Sequence, residues 1–386
     1  MIGCILLITL ILLTLAIDFG IQFNTWQSRI HIGRWKDRDT WTTALSTKSL
    51  LWLKKTPTIK LTDNDRLIIV DIIKGNYKRD AIQHWQEAAI LLGLVQQFEK
   101  TRDQNIREQI NTFISSRIET TGNWKTPPQE IDAVILGYAI LNTPWVDHQK
   151  NRPTYDALWQ MCKALIGDDG TVQYRKHMKN YRYVDTIGFI CPFLIAYGTR
   201  FDKSEAIDLS LRQIAEFNKY GMYPSQFIPC HTYQVETKIP VGLFGWGRGL
   251  GWYAIGLIDA WNELPNHDPR KPDLTRSVIS FANMAMRFQN DNGSWPWIVT
   301  SKETRADSSA TATLAYFLAN ASKIDAIKDT STSSKEKALD YLKKVTRRDG
   351  AIDFSQGDTK GIGVHSQHYD VLPFTQGFCL RTIFKD

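Results

Sequence analysis

The sequence contains no Cys-x-x-Cys pair, no His-Glu-x-x-His stretch and no Gly-x-Ser-x-Gly elbow. These absences exclude the common zinc sites, thioredoxin-like redox chemistry and the serine-hydrolase nucleophile turn. Cysteine is scarce: Cys4, Cys162, Cys191, Cys230 and Cys379 are scattered, which excludes a disulfide-stapled scaffold and suits a reducing compartment slightly better than an oxidising one. Lys and Arg number 47 against 40 Asp and Glu, so the net charge of +7 is thinly spread. It biases the chain mildly towards anionic partners, but the basic residues form no long run and match no nucleic-acid motif, which excludes nucleic acid as a partner. Strand-like alternation is almost lacking. With 43% hydrophobic and 23% charged residues the chain is globular rather than disordered. Its 13 Trp allow two readings, the filling of a helical core and the lining of an aromatic or carbohydrate site.

Met1 to Ile17 carries no charged side chain and is rich in Leu and Ile. A spanning helix needs about 20 apolar residues and a signal peptide core about 7–15, so the run falls between the two. It lacks a basic leader, and Thr14-Leu15-Ala16 is a poor cleavage site, so an uncleaved membrane anchor is favoured over a removed signal. Arg29, Arg34 and Lys36 follow the run, which leans towards a cytoplasmic domain, whereas action on polysaccharide suits an outward one; the side of the membrane stays open. Residues 1–20 are thus read as an anchor or signal segment, 21–58 as a connector and 59–386 as the main domain.

In the main domain apolar residues recur with helical spacing. The stretch 80–100 places Ile82, Trp85, Ala89, Leu92 and Val95 on one face. Similar stretches at 63–74, 104–118, 129–141, 153–164, 183–198, 203–218, 248–263, 272–288, 308–321, 334–345 and 370–383 bring the expected number to about twelve helices. A weak repeat accompanies them: Gly122-Asn123-Trp124, Gly170-Thr171-Val172, Gly221-Met222-Tyr223, Gly293-Ser294-Trp295 and Gly350-Ala351-Ile352 each set an apolar side chain within two residues of a glycine. Glycine in the left-handed position after a helix is the expected role. Twelve helices in six pairs match an all-α closed ring, the (α/α)6 toroid, whose ends gather loops into one cleft.

Four segments carry more polar or aromatic chemistry than a core needs. Asp185 opens the apolar helix Val184–Leu194, either as an N-cap or as a carboxyl facing an enclosed cleft with a raised pKa. Asp132, after Glu130-Ile131, enters another apolar helix, and one helical pair separates it from Asp185; two carboxylates in one cleft are the minimum for acid–base work on sugars. The block Phe244-Gly245-Trp246-Gly247-Arg248-Gly249-Leu250-Gly251-Trp252-Tyr253 sets a guanidinium between two indoles; it could clamp a carboxylate or be a structural knot. Glu303–Ala312 holds Asp307 and Ser308, which either cap a helix or touch a ligand.

These blocks and their order resemble the unsaturated uronyl hydrolases of glycoside hydrolase families 105 and 88 over about residues 60–386. The WGRGLGW segment is more similar to the rhamnogalacturonyl branch, family 105. The resemblance implies an (α/α)6 toroid with no metal or organic cofactor. It implies action on oligosaccharides whose non-reducing end is a 4,5-unsaturated uronic acid left by a lyase. It assigns Asp185 as acid/base, Asp132 as its partner carboxylate, and Arg248, Trp246, Trp252, Arg175, His231 and Trp85 to substrate binding. Tyr174 stands where the families commonly have a histidine. The implied chemistry is hydration of a vinyl ether, with Asp132 raising the pKa of Asp185 by like-charge repulsion and Arg248 and Arg175 neutralising the uronate. Two other readings are a toroid enzyme acting on saturated polysaccharide and a membrane-tethered glycan-binding protein without catalysis. The sequence gives no indication of oligomeric state.

Overall fold

Two kinds of helix alternate along the chain. Some are buried all round, such as Val134–Leu141 and Ser308–Ala321, with no residue left at the surface. Others, such as Arg152–Ala164 and Lys271–Arg287, bury one stripe and show a polar face to solvent. The first kind belongs inside a ring and the second outside it.

A computed structural model of the chain describes residues 2–58, 62–64, 66–76 and 83–385. Its helices are α1 (Ile2–Arg29), α2 (Arg38–Lys54), α3 (Ile68–Ile73), α4 (Gln83–Thr101), α5 (Gln104–Arg117), α6 (Val134–Leu141), α7 (Arg152–Ala164), α8 (Val184–Arg200), α9 (Ser204–Tyr220), α10 (Gly247–Glu263), α11 (Lys271–Arg287), α12 (Ser308–Ala321), α13 (Lys328–Lys344) and α14 (Pro373–Ile383). Helices α4, α6, α8, α10, α12 and α14 pack each on the next, and α14 packs back on α4, so the inner ring closes. The seam is tight: a side chain at Gly377 would collide with the carbonyl oxygen of Ala89 on α4. The expected (α/α)6 toroid is the fold.

The outer ring differs from the expectation. Helices α5, α7, α9, α11 and α13 follow their inner partners in sequence, but the sixth outer position, against α14 and α4, is filled by α2. The stretch 21–58, read as a connector, therefore contains a structural helix, with Trp41, Leu45 and Leu53 in the core. Threonines, serines and lysines interleave these residues and dilute their periodicity. An Asp37/Thr40 capping box starts α2, with Thr40 donating its N–H to Asp37 at 2.8 Å. Conversely, 63–74 supplies only the short α3. Ile82 lies outside the described residues.

The glycine turns repeat in space as well. Gly293 and Gly350 have φ of +90° and +85°, open to glycine at little cost, and each presses on the backbone of the next outer helix, at Lys337 of α13 and Ala44 of α2. Thus α2 stands to the Gly350 turn as α13 stands to the Gly293 turn. Gly122 and Gly170 also have positive φ; Gly221, at −102°, does not and simply ends α9. The four left-handed glycines sit in small turns beyond the helix ends, rather than immediately after them as expected.

Connections from each outer helix to the next inner helix all lie at one end of the ring, where the inner helices begin. Short antiparallel strands decorate this end: Tyr181–Tyr183, Thr232–Gln234 and Pro240–Val241 form one sheet, and Ser355–Gln356 pairs with Tyr369–Asp370.

Candidate active site

At that end a cleft is lined by Trp85, Asp132, Asp185, His231, Trp246, Arg248 and Trp252, together with Tyr174, Met178, Tyr183, Phe189 and the segment Asp358–Gly361. Seven of the eight residues singled out in the sequence thus share one wall or floor. The eighth, Arg175, stands just behind it.

Asp185 is in the first turn of α8 and is not its cap; the capping position is Tyr183, in extended conformation. One carboxylate oxygen, Oδ2, is buried without a hydrogen-bond partner. Burial pushes its pKa up to about 7, against the lowering influence of its own backbone N–H and of Arg248. Asp132 sits in a single 3-10 turn, Ile131–Ala133, that leads into α6. Its Oδ2 is also buried and unpartnered, and burial likewise raises its pKa to about 7, with Arg175 pulling the other way. Asp358 adds a like charge to both, and Glu130 a larger one to Asp132. Burial, rather than the partner carboxylate, is thus the main cause of both shifts.

The sheet beside α8 delivers His231. Tyr183 pairs with Thr232, and the N–H of Val184 donates to the carbonyl of His231 at 3.0 Å. This places His231 Nε2 3.8 Å from Asp185 Oδ2. Burial, with help from nearby His365 and Arg248, lowers the imidazole pKa to about 3, so at neutral pH it faces Asp185 uncharged.

Arg248 does not present a free fork to the cleft. Its two terminal nitrogens donate to the carbonyls of Gln356 and Gly357, while Trp246 Nε1 donates to the Gln356 side chain at 3.0 Å. The WGRG turn at the start of α10 therefore holds the connection before α14, and Arg248 adds a fixed positive field at Asp185 and Asp358. Arg175 is similarly engaged, with Glu130 at 2.9 Å, Asp132 at 3.5 Å and the ring of Tyr174 at 4.1 Å. It is a counter-charge to carboxyls rather than a lining residue. Trp252 packs on Trp85, Phe189 and Phe374 at 5.3, 4.5 and 4.6 Å, building an aromatic floor.

The sequence reading missed Asp358, Lys360 and His365. Asp358 is a third carboxyl, raised by burial and restrained by Arg248. Lys360 brings an ammonium to the cleft, 3.2 Å from Asp63. His365 packs against Trp246 and His231, and both its ring nitrogens are buried without partners. The available signal was positional: Gly357-Asp358-Thr359-Lys360-Gly361 lies in the connection leading to an inner helix, at the end of the ring where Asp132 and Asp185 enter theirs. The block Glu303–Ala312 resolves as structure. Asp307 accepts from the N–H groups of Ser309 at 2.9 Å and Gln356 at 3.0 Å, capping α12 and tying it to the same connection. Among the described residues no group of three or more His, Cys, Asp or Glu is arranged to hold a metal ion.

Comparison with known proteins agrees with this fold. The unsaturated rhamnogalacturonyl hydrolase YesR of Bacillus subtilis is 19% identical over 315 residues, covering 80% of this chain and 88% of that one. A possible member of family 105 from Klebsiella pneumoniae superposes with a TM-score of 0.71 at 16% identity, over 78% of this chain and 82% of its own. The unsaturated glucuronyl hydrolase of Bacillus sp. GL1, responsible for degradation of glycosaminoglycan, gives 0.62 at 16% identity, over 87% and 93%. The sequence profile of Glycosyl Hydrolase Family 88 matches residues 65–380, most of the toroid, and the chain belongs to that family of glycosyl hydrolases.

Proposed function

We propose that the protein removes a 4,5-unsaturated uronic acid, galacturonyl-type in preference, from the non-reducing end of lyase-generated oligosaccharides. The observation that carries this reading is the pair of carboxyls Asp185 and Asp132, each with an unpartnered buried oxygen and a pKa near 7, in one aromatic-floored cleft. The names of the relatives supply the substrate class, and the likeness to YesR and to family 105 supports the galacturonyl preference.

In this mechanism protonated Asp185 gives its proton to C4 of the C4=C5 bond. Positive charge develops at C5 and the ring oxygen, and water adds at C5 while the Asp185 carboxylate takes one of its protons. The resulting hemiketal opens to a ketone at C5, and the hemiacetal left at C1 expels the next sugar. A single residue acting as acid and then base needs a pKa near working pH, which burial provides. Neutral His231 can orient the water or the substrate without competing for the proton. Asp132, restrained by Arg175, shapes the field and contacts the sugar. Lys360 and the field of Arg248 offset the uronate charge.

The test follows loss of the ultraviolet absorbance of the conjugated double bond on oligosaccharides made by pectin and glycosaminoglycan lyases. Asp185→Asn is expected to fold with a melting temperature no lower than that of the unaltered chain and to lower turnover by about 10²–10⁴ or more, the usual worth of an acid–base group. Turnover retained by that variant, or equal cleavage of saturated chains, would overturn the proposal.

A further inference from the structure

The large apolar side chains that remain exposed are unevenly distributed. Apart from those on α1, and Ile30 and Leu51 before and on α2, they lie at the cleft end of the ring, in connections from outer to inner helices. Ile72 and Ile73 are on α3, Ile166 precedes α8, Tyr223 and Ile239 precede α10, and Val364 precedes α14. None lies in the connections at the opposite end among the described residues. Soluble proteins scatter such residues singly, so their concentration on one face marks an interaction surface.

The same end carries α1. This helix has 28 residues, and its most apolar window has a mean hydropathy of 2.6 with 6% of that window buried. It is attached to the toroid by its last turn: Arg29 forms a bidentate pair with Asp353 at 2.5 and 2.9 Å, in the connection between α13 and α14. Further up, Asp18 is buried against α3 and accepts the N–H groups of Leu67 and Ile68 at 2.5 and 3.0 Å, so the charge within an apolar helix is satisfied. Just before α3 the chain touches the cleft, where Asp63 accepts from Ser366 and the N–H of Gln367 and pairs with Lys360. Phe19, Phe23 and Trp26 form an aromatic ladder on α1, with ring separations of 6.0 and 5.6 Å. Exposed Arg66 and Lys74 flank α3, and exposed Arg34 and Lys36 follow α1. Aromatic rings and basic residues bordering an apolar segment match the membrane–water boundary and anionic headgroups.

We propose that the cleft-bearing end of the toroid rests on a lipid bilayer containing anionic headgroups, with α1 inserted and α3 lying in the interface. The cleft then opens beside the headgroups and takes glycan at the membrane surface. The inference concerns placement and does not depend on the chemistry proposed above.

The test uses the full chain with Cys4→Ser and one introduced cysteine carrying a fluorophore: Ile73→Cys, Val364→Cys at the cleft rim, or Asn266→Cys at the far end. The protein is reconstituted in phosphatidylcholine vesicles, with or without phosphatidylglycerol, containing a lipid quencher at headgroup depth. Labels at 73 and 364 are expected to be quenched several-fold more than the label at 266, and more strongly with phosphatidylglycerol. Ile72→Glu with Ile73→Glu is expected to lower quenching at 364 while leaving hydrolysis of a soluble oligosaccharide unchanged. Equal quenching at 364 and 266, or no response to phosphatidylglycerol, overturns the placement.

Discussion

Asp185 and Asp132 each sit at the start of an inner helix, where the aligned backbone dipoles favour the ionised carboxylate by up to about 2 kcal/mol. Burial opposes this and wins, since both pKa values stand near 7. Two consequences can be measured. If Asp185 must be protonated to begin turnover, kcat/KM falls about tenfold per pH unit above roughly 7, and a pH profile on the lyase-derived substrate checks it. For stability the sign is the reverse of an ordinary salt-bridged acid. The folded state binds more protons than the unfolded chain between the normal carboxylate range and about 7, so stability drops as pH rises through that window and then levels off. Asp132→Asn is therefore expected to raise Tm at pH 8, by the equivalent of a few kcal/mol at most, and to change it little at pH 4. Thermal melts at the two pH values check this. Asp132 and Asp185 were legible in the sequence because an acid followed by nothing but apolar helix has few other uses. Arg248 was legible as part of the site but not in its role, because the carbonyls it holds belong to a segment far along the chain. Asp358 had no periodic helix around it to make it conspicuous.

Among elements, the connection before α14 depends on its neighbours for its shape. Arg248 of α10 and Asp307 at the start of α12 both hold Gln356, and the wall Asp358–Gly361 follows directly. Asp307→Ala removes the cap of α12 and leaves the buried N–H of Gln356 unsatisfied. The expected loss is about 2–4 kcal/mol from these two effects together, measured by urea unfolding, with a rise in KM as the wall loosens. Inner helices were readable from their long, mostly apolar runs, since burial on all sides favours such a composition. Outer helix α2 was not, because only Trp41, Leu45, Trp52 and Leu53 of its stripe are large and apolar.

Across the whole molecule the ring is a closed set of neighbours, so removing one helix exposes two inner faces at once. Trp41, 1% exposed, donates its indole N–H to Thr346 at 2.8 Å, and loss of such a side chain alone costs about 3–5 kcal/mol. A chain beginning at residue 59 is expected to lose its cooperative melt, while one beginning at residue 30 keeps it; circular dichroism on both checks the difference. The closed toroid was legible from six helical pairs and their glycine turns. Which segment supplies the last outer helix was not, because pairing between the two ends of a chain leaves no mark in local spacing.

That pairing of α2 with α14 sets the order of assembly during synthesis. On the ribosome α2 is made before every inner helix and its mate α14 after all the others, so five helical pairs can accumulate as an open arc with two sticky edges before the gap is filled. Contacts of such long sequence separation form late and slowly. If the apolar N-terminus is already held at a membrane during translation, one of those edges is kept near a fixed point while the other is still being made, which shortens the search that completes the circle.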